Sequence, residues 1–376
     1  MSKKKILFYY PSNNRTVALE TLLIQLRNYG YEIVILTTCT KGDFHYYMES
    51  LNFPTHTNHI ETKGIRYYIR QIHFLISFCR KQEINFVFSH LQHVNFIAVL
   101  TQYFIKVKVV VFRHHFRFID TTDKEISASK NEVFFDRVIN KLAQTIIVPS
   151  TGVYEGIKTT EKISINKLQI IPYLYDFSKY QTPKDIEVEK IRAQYSCKLR
   201  LIMVSRLIKL KRHYVVFPVI KNLILEGYDI KLLVLDEGPE KENLTAYINQ
   251  NKLADYIFML GYKKDFVNYM AAADLLIQPS LTDASNSVAK EMALFKKAIA
   301  VSKDVGDYSD YVRDNINGYL LPTSNTSAHL KETIIDAYNN SDKLITMGEN
   351  LKKDVFLKFD VTNADDIIEK YIKLLQ

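Results

Sequence analysis

Short apolar runs rich in β-branched and aromatic residues recur along this chain, and segments with helical spacing separate them. In the first half the runs are "KILFYY", "YEIVILTT", "INFVFSH", "VKVVVFRH" and "TIIVPS". Helix-spaced segments fall at about 17–29, ending at Gly30, and near 65–82, 92–105 and 131–142. This alternation limits the fold more than any other feature. Parallel strands must be joined by a crossover, normally a helix, and strands covered on both faces read as continuous apolar runs. The pattern predicts βαβ units and a parallel sheet. From about 183 to 197 the chain becomes charged and polar, "TPKDIEVEKIRAQYSC", which predicts a domain boundary. A second series follows: "LRLIMVSR", a helix near 213–226, "IKLLVLD", a helix near 239–250, "YIFML", a helix near 265–272, "DLLIQPS", a helix from about 286, "KAIAVS" and "GYLLP". The prediction is an α/β chain of two doubly wound domains facing across a cleft, 1–185 and 198–360.

With 376 residues, 47% hydrophobic and 24% charged, the chain reads as an ordinary globular protein of two or three domains. Cys39, Cys79 and Cys197 are too few and too widely spaced for a disulfide framework or a metal cluster; reduced core thiols imply a cytoplasmic setting. The start "MSKKKILFYYP" breaks at Pro11, too early for a signal peptide, and no stretch reaches the 18 or so apolar residues of a membrane span. Charge is uneven. Residues 1–190 carry +8 of the net +9, interleaved with aromatics in "RYYIRQIHFLISFCRK" (66–81) and "YFIKVKVVVFRHHFRF" (103–118). This fits either a solvated basic surface over a Tyr/Phe-rich core or a face for an anionic membrane or a phosphate-bearing acceptor. No nucleic-acid motif accompanies the charge.

Ligands of doubly wound sheets bind beyond the C-terminal strand ends, so the residues there come next. After "DLLIQPS" comes "LTDASNSVAKEMA" (281–293). A helix beginning near Asn286 leaves the N–H groups around Ser285, Asn286 and Ser287 unpaired at a positive dipole end, an anion site. Glu291 leans back toward that site, and its two acceptor oxygens suit a vicinal diol such as a ribose. Asp283, on the preceding loop, would face another part of the same ligand. Alternatively, Asp283 and Ser285 only cap the helix and Glu291 is solvated. A second strand end, "VSRLIKLKR", supplies Arg206 and Lys211, two cations suited to a diphosphate. A third, "LDEGPEKENL", forms a tight turn through Glu237 and Gly238.

This order of motifs resembles the donor domain of the retaining, GT-B-fold glycosyltransferases of family 4, over about residues 200–322. The matching elements are Arg206 and Lys211, Gly238-Pro239-Glu240, Gly261 to Asp265 with "YMAAADLLIQPS", Asp283 and Glu291 in place of E-x7-E, and Asn317-Gly318. The first half is similar more loosely, through "GYEIVILTT", "AQTIIVPS" and "KLQIIPYLYDFSKY". There are departures. Asp283 replaces the first Glu, "PSNNRTVA" replaces a Gly-Gly loop, Tyr173-Leu174 stands for the Asn-Gly of "IPNG", and Gly306-Asp307 for a Gly-Gly.

The resemblance implies a GT-B architecture. An acceptor-binding Rossmann-like domain (1–185) would precede a donor-binding one (198–360), with the amphipathic tail 361–376 as a helix crossing back to the first. It implies transfer of a sugar, with retention, from a nucleotide diphosphate sugar, UDP favoured, to a hydroxyl of a glycan or lipid-linked acceptor in cell-envelope polysaccharide synthesis. Arg206, Lys211, Asp283 and His114, or its neighbour His115, would act at the transferred sugar and its leaving group. Ser285, Asn286, Ser287, Glu291, Glu237 and Gly238 would bind the donor. No Asp-x-Asp pair is evident, so no metal and no cofactor is expected, with the cations in the metal's place. The expected location is cytoplasmic, peripheral at the inner face of the membrane through the basic first domain. A non-catalytic nucleotide-sugar-binding protein or a nucleotide-sugar epimerase on the same fold would use the same donor residues.

Overall fold

The computed structural model describes residues 4–116, 127–161, 163–363 and 365–376. Arg117 and Phe118 of the basic aromatic stretch lie outside the described residues. The chain divides into two units, residues 1–176 with 359–376, and residues 177–358.

The first unit holds a parallel sheet of β1 (Lys5–Tyr10), β2 (Glu32–Thr37), β3 (Thr55–Thr57), β4 (Phe86–His90), β5 (Lys108–Phe112), β6 (Thr145–Val148) and β7 (Leu168–Ile170), in the order 3-2-1-4-5-6-7. Its crossovers are α1 (Val17–Asn28), α2 (Asp43–Ser50), α3 (Ile65–Lys81), α4 (Gln92–Thr101), α5 (Lys130–Leu142) and α6 (Thr151–Thr160). Side chains alternate across each strand. Ile6 and Phe8 enter one core with Leu22 and Phe44, while Leu7 and Tyr9 enter another with Leu75 and Val94. Both faces are therefore covered, which is why the strands read as unbroken apolar runs. Helix α2 was not anticipated from the sequence. It rests on two buried anchors one turn apart, Phe44 and Met48, and on His45 Nδ1 accepting the Gly42 N–H at 3.1 Å.

The second unit begins with α7 (Asp185–Gln194) and has its own parallel sheet: β8 (Leu199–Val204), β9 (Ile230–Leu235), β10 (Ile257–Gly261), β11 (Leu275–Gln278), β12 (Ala298–Ser302) and β13 (Tyr319–Leu321), in the order 10-9-8-11-12-13. Between them run α8 (His213–Leu225), α9 (Lys241–Gln250), α10 (Phe266–Ala272), α11 (Ser287–Leu294) and α12 (Tyr308–Tyr311), followed by α13 (Thr326–Asn339) and α14 (Ser341–Phe359). The division between units falls at 176/177, ahead of the charged stretch expected to separate them. That stretch is helical rather than a linker. Val188 and Ile191 form a thin buried stripe amid the charges, and just ahead of α7 the Lys184 N–H donates to Oδ1 of Asn268, in α10, at 2.8 Å.

The chain returns to the first unit at residue 359, two residues before the expected tail. There α15 (Asp365–Leu374) buries Ile367, Ile368, Tyr371 and Leu374 in the same core as Phe8, Phe88 and Phe112. Tyr371 lies against the Phe112 and Phe88 rings at 6.2 and 6.4 Å. Among the described residues, no helix is long and apolar enough to cross a membrane.

Candidate functional site

In the second unit the strand order reverses at β8, which lies between β9 and β11, and ligands of such sheets enter beyond the strand C-termini at that point. The loops after β8 and β11 are tied together there by the Leu281 N–H, which donates to the Leu210 carbonyl at 2.9 Å. Lys211 Nζ donates to Asp283 Oδ2 at 2.8 Å, and Asn286 Nδ2 reaches the same oxygen at 2.9 Å. The Ala284 N–H donates to Asp283 Oδ1 at 3.0 Å. Burial pushes the Asp283 carboxyl up, but Lys211, Asn286 and the Ala284 N–H outweigh it and hold it below its ordinary range. Asp283 is not the helix cap. Asn286 is, its Oδ1 accepting the Ala289 N–H at 2.9 Å. The N–H groups of Ser287 and Val288 still have no intrahelical carbonyl to meet.

Glu291, one turn into α11, is 7% exposed, and among the described residues no partner reaches its Oε2. Burial pushes this carboxyl up to about 7, against the lowering effect of the Ser287 hydroxyl and of Lys290. It lines a hollow of about 190 Å³ with Ser287, Asp236 and the apolar or aromatic groups of Val204, Leu235, Tyr262 and Phe266. A buried acid with an unsatisfied oxygen over an apolar hollow can take hydroxyl donors from a ligand whose flat part packs on Val204 and Phe266.

Glu237 and Gly238 shape the rim. The Leu207 N–H donates to the Glu237 carbonyl and the Glu240 N–H to the Leu207 carbonyl, each at 3.0 Å. A Cβ on Gly238 would lie 2.5 Å from the Leu207 carbonyl oxygen, so only glycine allows the two loops to approach this closely. The Glu237 carboxylate pairs with Lys241 at 3.0 Å at the surface. Arg206 is exposed beside this turn and, among the described residues, its side chain has no partner.

Two residues of the site were not singled out from the sequence for what they do. Lys290, fully buried on α11, donates to Asp307 Oδ2 at 2.6 Å, to Ser285 Oγ at 3.0 Å and to the Asn286 carbonyl at 3.2 Å. Burial pushes the Lys290 ammonium down and the Asp307 carboxyl up, while each opposes the push on the other. Gly306, at φ +55°, brings this loop to Asp283 and Ala284; a Cβ would sit 3.1 Å from the Ala284 carbonyl oxygen. The sequence signal was a lysine beside Glu291 on a helix whose nearby residues Val288, Ala289, Met292 and Ala293 are apolar.

His114 belongs to the first unit, beyond β5, where β1 and β4 mark the reversal of that sheet. His114 Nε2 lies 3.2 Å from His90 Nδ1, and its Nδ1 is hydrogen-bonded to the Tyr173 hydroxyl. His90 stacks on Phe112 at 4.1 Å, and both residues sit at the strand ends in line with Phe88 on the face that α15 covers. Burial, then the charges of His115 and Arg113, lower the His114 pKa to about 3; burial and His114 lower that of His90 as well. Beside β4, Leu91 holds φ 72°, ψ 157°, a region that strongly favours glycine. In "PSNNRTVA", Arg15 grips the buried Glu20 through two bonds of 3.0 and 2.8 Å and stacks on Tyr47 at 3.5 Å. Side chains thus close this loop. A larger hollow of about 550 Å³ lies at the opposite strand ends of this unit, around Arg80, Tyr103 and Phe104. Among the described residues no three His, Cys, Asp or Glu side chains are placed to share a metal ion.

Two parallel, doubly wound units, each with its candidate site residues at the strand ends where the order reverses, make up the GT-B fold. The same fold occurs in crystal structures of Anabaena HepE in complex with UDP (TM-score 0.79, 17% identity, 98% of this chain and 99% of that one) and of TarM (0.77, 12%, 100% and 99%). Residues 186–354, within the second unit, match the family described as glycosyl transferases group 1. Curated relatives include the poly(ribitol-phosphate) alpha-N-acetylglucosaminyltransferase of Staphylococcus aureus, 21% identical over 270 residues. That match covers 72% of this chain and half the length of the relative. Another is the N-acetylgalactosamine-N,N'-diacetylbacillosaminyl-diphospho-undecaprenol 4-alpha-N-acetylgalactosaminyltransferase of Campylobacter jejuni, 23% identical over 305 residues, 78% of each chain.

Proposed function

We propose that the protein is a retaining glycosyltransferase that moves a hexose-type sugar from a UDP-sugar to a hydroxyl of a glycan or lipid-linked acceptor in cell-envelope polysaccharide synthesis. The observation that carries this is Glu291, whose buried Oε2 has no partner among the described residues and lines a hollow beside the α11 N-terminus. In this reading Glu291 takes the ribose hydroxyls, the Ser287 and Val288 amides with Arg206 and Lys211 hold the diphosphate, and Asp283 orients the sugar. The bond from the anomeric carbon to phosphate breaks and its electron pair passes to the diphosphate. The acceptor oxygen bonds to that carbon, and its proton leaves on a phosphate oxygen. The barrier is the charge building on the diphosphate, which fixed cations and amides stabilise without reorganising. They would serve in place of a metal ion. UDP is favoured because HepE, a protein of this fold, has been crystallised with it, and the acceptor class because the curated relatives named above are described as acting on poly(ribitol-phosphate) and on a diphospho-undecaprenol-linked sugar.

In the first unit, the exposed Ile65 and Ile69 alternate with Arg66 and Arg70 on α3. This supports attachment to an anionic inner membrane face from the cytoplasm. The test is a thermal-shift screen against UDP-, GDP- and ADP-sugars, with product analysis on lipid-linked and glycan acceptors. Stabilisation by none of the donors overturns the proposal. Stabilisation without product selects a binding protein, and free sugar released without acceptor selects an epimerase.

A further inference from the structure

The Lys290–Asp307 pair lies off the hollow that Glu291 lines, and the reading above gives it no task. Two fully buried charges are an uneconomical way to fill space, because desolvation offsets their attraction and well-packed apolar residues are often as stable. What the pair does supply is direction. Lys290 Nζ reaches Asp307 on the loop after β12, the hydroxyl of Ser285 and the carbonyl of Asn286, at 2.6, 3.0 and 3.2 Å. The Ser285 hydroxyl itself donates to Asp307 Oδ2 at 2.6 Å. The ammonium therefore clamps the turn just before α11 to the loop behind it, and Gly306 permits the two backbones to touch.

The clamped turn ends in Asn286, whose side chain holds Asp283 Oδ2 at 2.9 Å. While Lys211 also holds that oxygen, Asp283 has two side-chain restraints. Once Lys211 turns to a diphosphate, the Asn286 side chain and the Ala284 N–H remain to hold the carboxylate. The clamp beneath Asn286 then decides where Asp283 points.

We propose that Lys290 is a positioning residue: anchored by Asp307, it fixes the Ser285–Asn286 turn and, through Asn286, the direction in which Asp283 meets the transferred sugar. The role at the sugar rests on the donor reading above; the clamp does not.

The experiment compares the full chain with K290M/D307N, which removes both charges at little change in volume, and with K290R. Amide hydrogen exchange at residues 284–287, UDP-induced thermal shift and donor kinetics are measured. In K290M/D307N, exchange at this turn should quicken by about tenfold or more. The UDP shift should persist, because Glu291 and the hollow are untouched, and kcat should fall about 10²-fold with little change in KM. K290R, which can still pair with Asp307, should recover part of kcat. Wild-type exchange and kcat in K290M/D307N would overturn the proposal. Should that variant fail to fold, Ser285→Ala, which removes one arm of the clamp, carries the test: faster exchange and lower kcat support it, and wild-type values of both overturn it. Should the unmodified protein neither bind UDP nor turn over a UDP-sugar, the donor reading fails, and the exchange rates alone decide whether the clamp exists.

Discussion

Lys211 and Asp283, one after β8 and the other after β11, are joined by a 2.8 Å ion pair, so the cation assigned to the diphosphate and the carboxylate assigned to the sugar begin as each other's partner. A bound donor must compete for both. Lys211→Ala leaves Asp283 largely buried without its cation and should cost about 3 kcal/mol of stability. Asp283→Asn should cost less, because the amide can still bond Asn286, while cutting turnover. A double-mutant cycle on unfolding free energy measures their coupling, and additivity within about 0.5 kcal/mol would show that the pair is not formed in solution.

Glu291 links the site to pH. It releases its proton near 4.5 when unfolded and near 7 when folded, so between these values the folded chain holds the extra proton and stability falls as pH rises through that window. Glu291→Gln should remove this slope. Hydroxyl donors favour the carboxylate, so UDP affinity should strengthen as pH rises from about 5.5 to 7.5 in the wild type, with a flat and weaker profile in the variant. Calorimetric titration across that range checks both.

Arg206 is exposed, so Arg206→Ala should leave unfolding free energy within about 0.5 kcal/mol of the wild type. Its charge should matter in the reaction: donor binding should weaken and turnover drop by roughly 10²-fold. Wild-type turnover in this variant would sink the assignment of the diphosphate site.

His114 should stay neutral through ordinary pH, because its folded pKa lies near 3. The unfolded chain takes up a proton near 6.5 that the folded chain refuses, so this group lowers stability as pH falls from about 6.5 toward 3, opposite in sign to Glu291. Tyr173→Phe removes the hydroxyl on His114 Nδ1. For a His114 that takes part in the reaction, turnover should fall about tenfold while the melting temperature holds, and no limb near pH 6.5 should appear in the kcat profile. An unchanged turnover would place the His90–His114–Tyr173 chain in the core alone.

The alternating apolar runs and helical spacings placed almost every strand, because each is covered on both faces and carries its own signal. Short elements such as α2 and β3 escaped, since three to eight residues hold too few periods to register, and the longer helices α6, α13 and α14 were not read from the sequence either. The charged stretch at 183–197 reads as a domain boundary and hides α7, because only Val188 and Ile191 mark the helix's buried side. Asp283, Glu291, Arg206 and Lys211 could be placed beyond the strand ends from the sequence because each follows its strand closely along the chain. The Lys290–Asp307 pair could not, since its partners lie 17 residues apart and meet only through the sheet. His90 was hidden likewise: nothing local tells a buried histidine paired with His114 from an ordinary core residue.

The return of residues 359–376 to the first unit has a temporal side. On the ribosome, the segment that supplies Ile367, Ile368 and Tyr371 is made only after the whole of 177–358 has been translated. Until then one face of the first sheet, around Phe88 and Phe112, lacks its cover. The second unit is contiguous and can complete its core first, so the nascent chain should mature out of order, its opening half remaining the more dependent on chaperones until the final helix arrives.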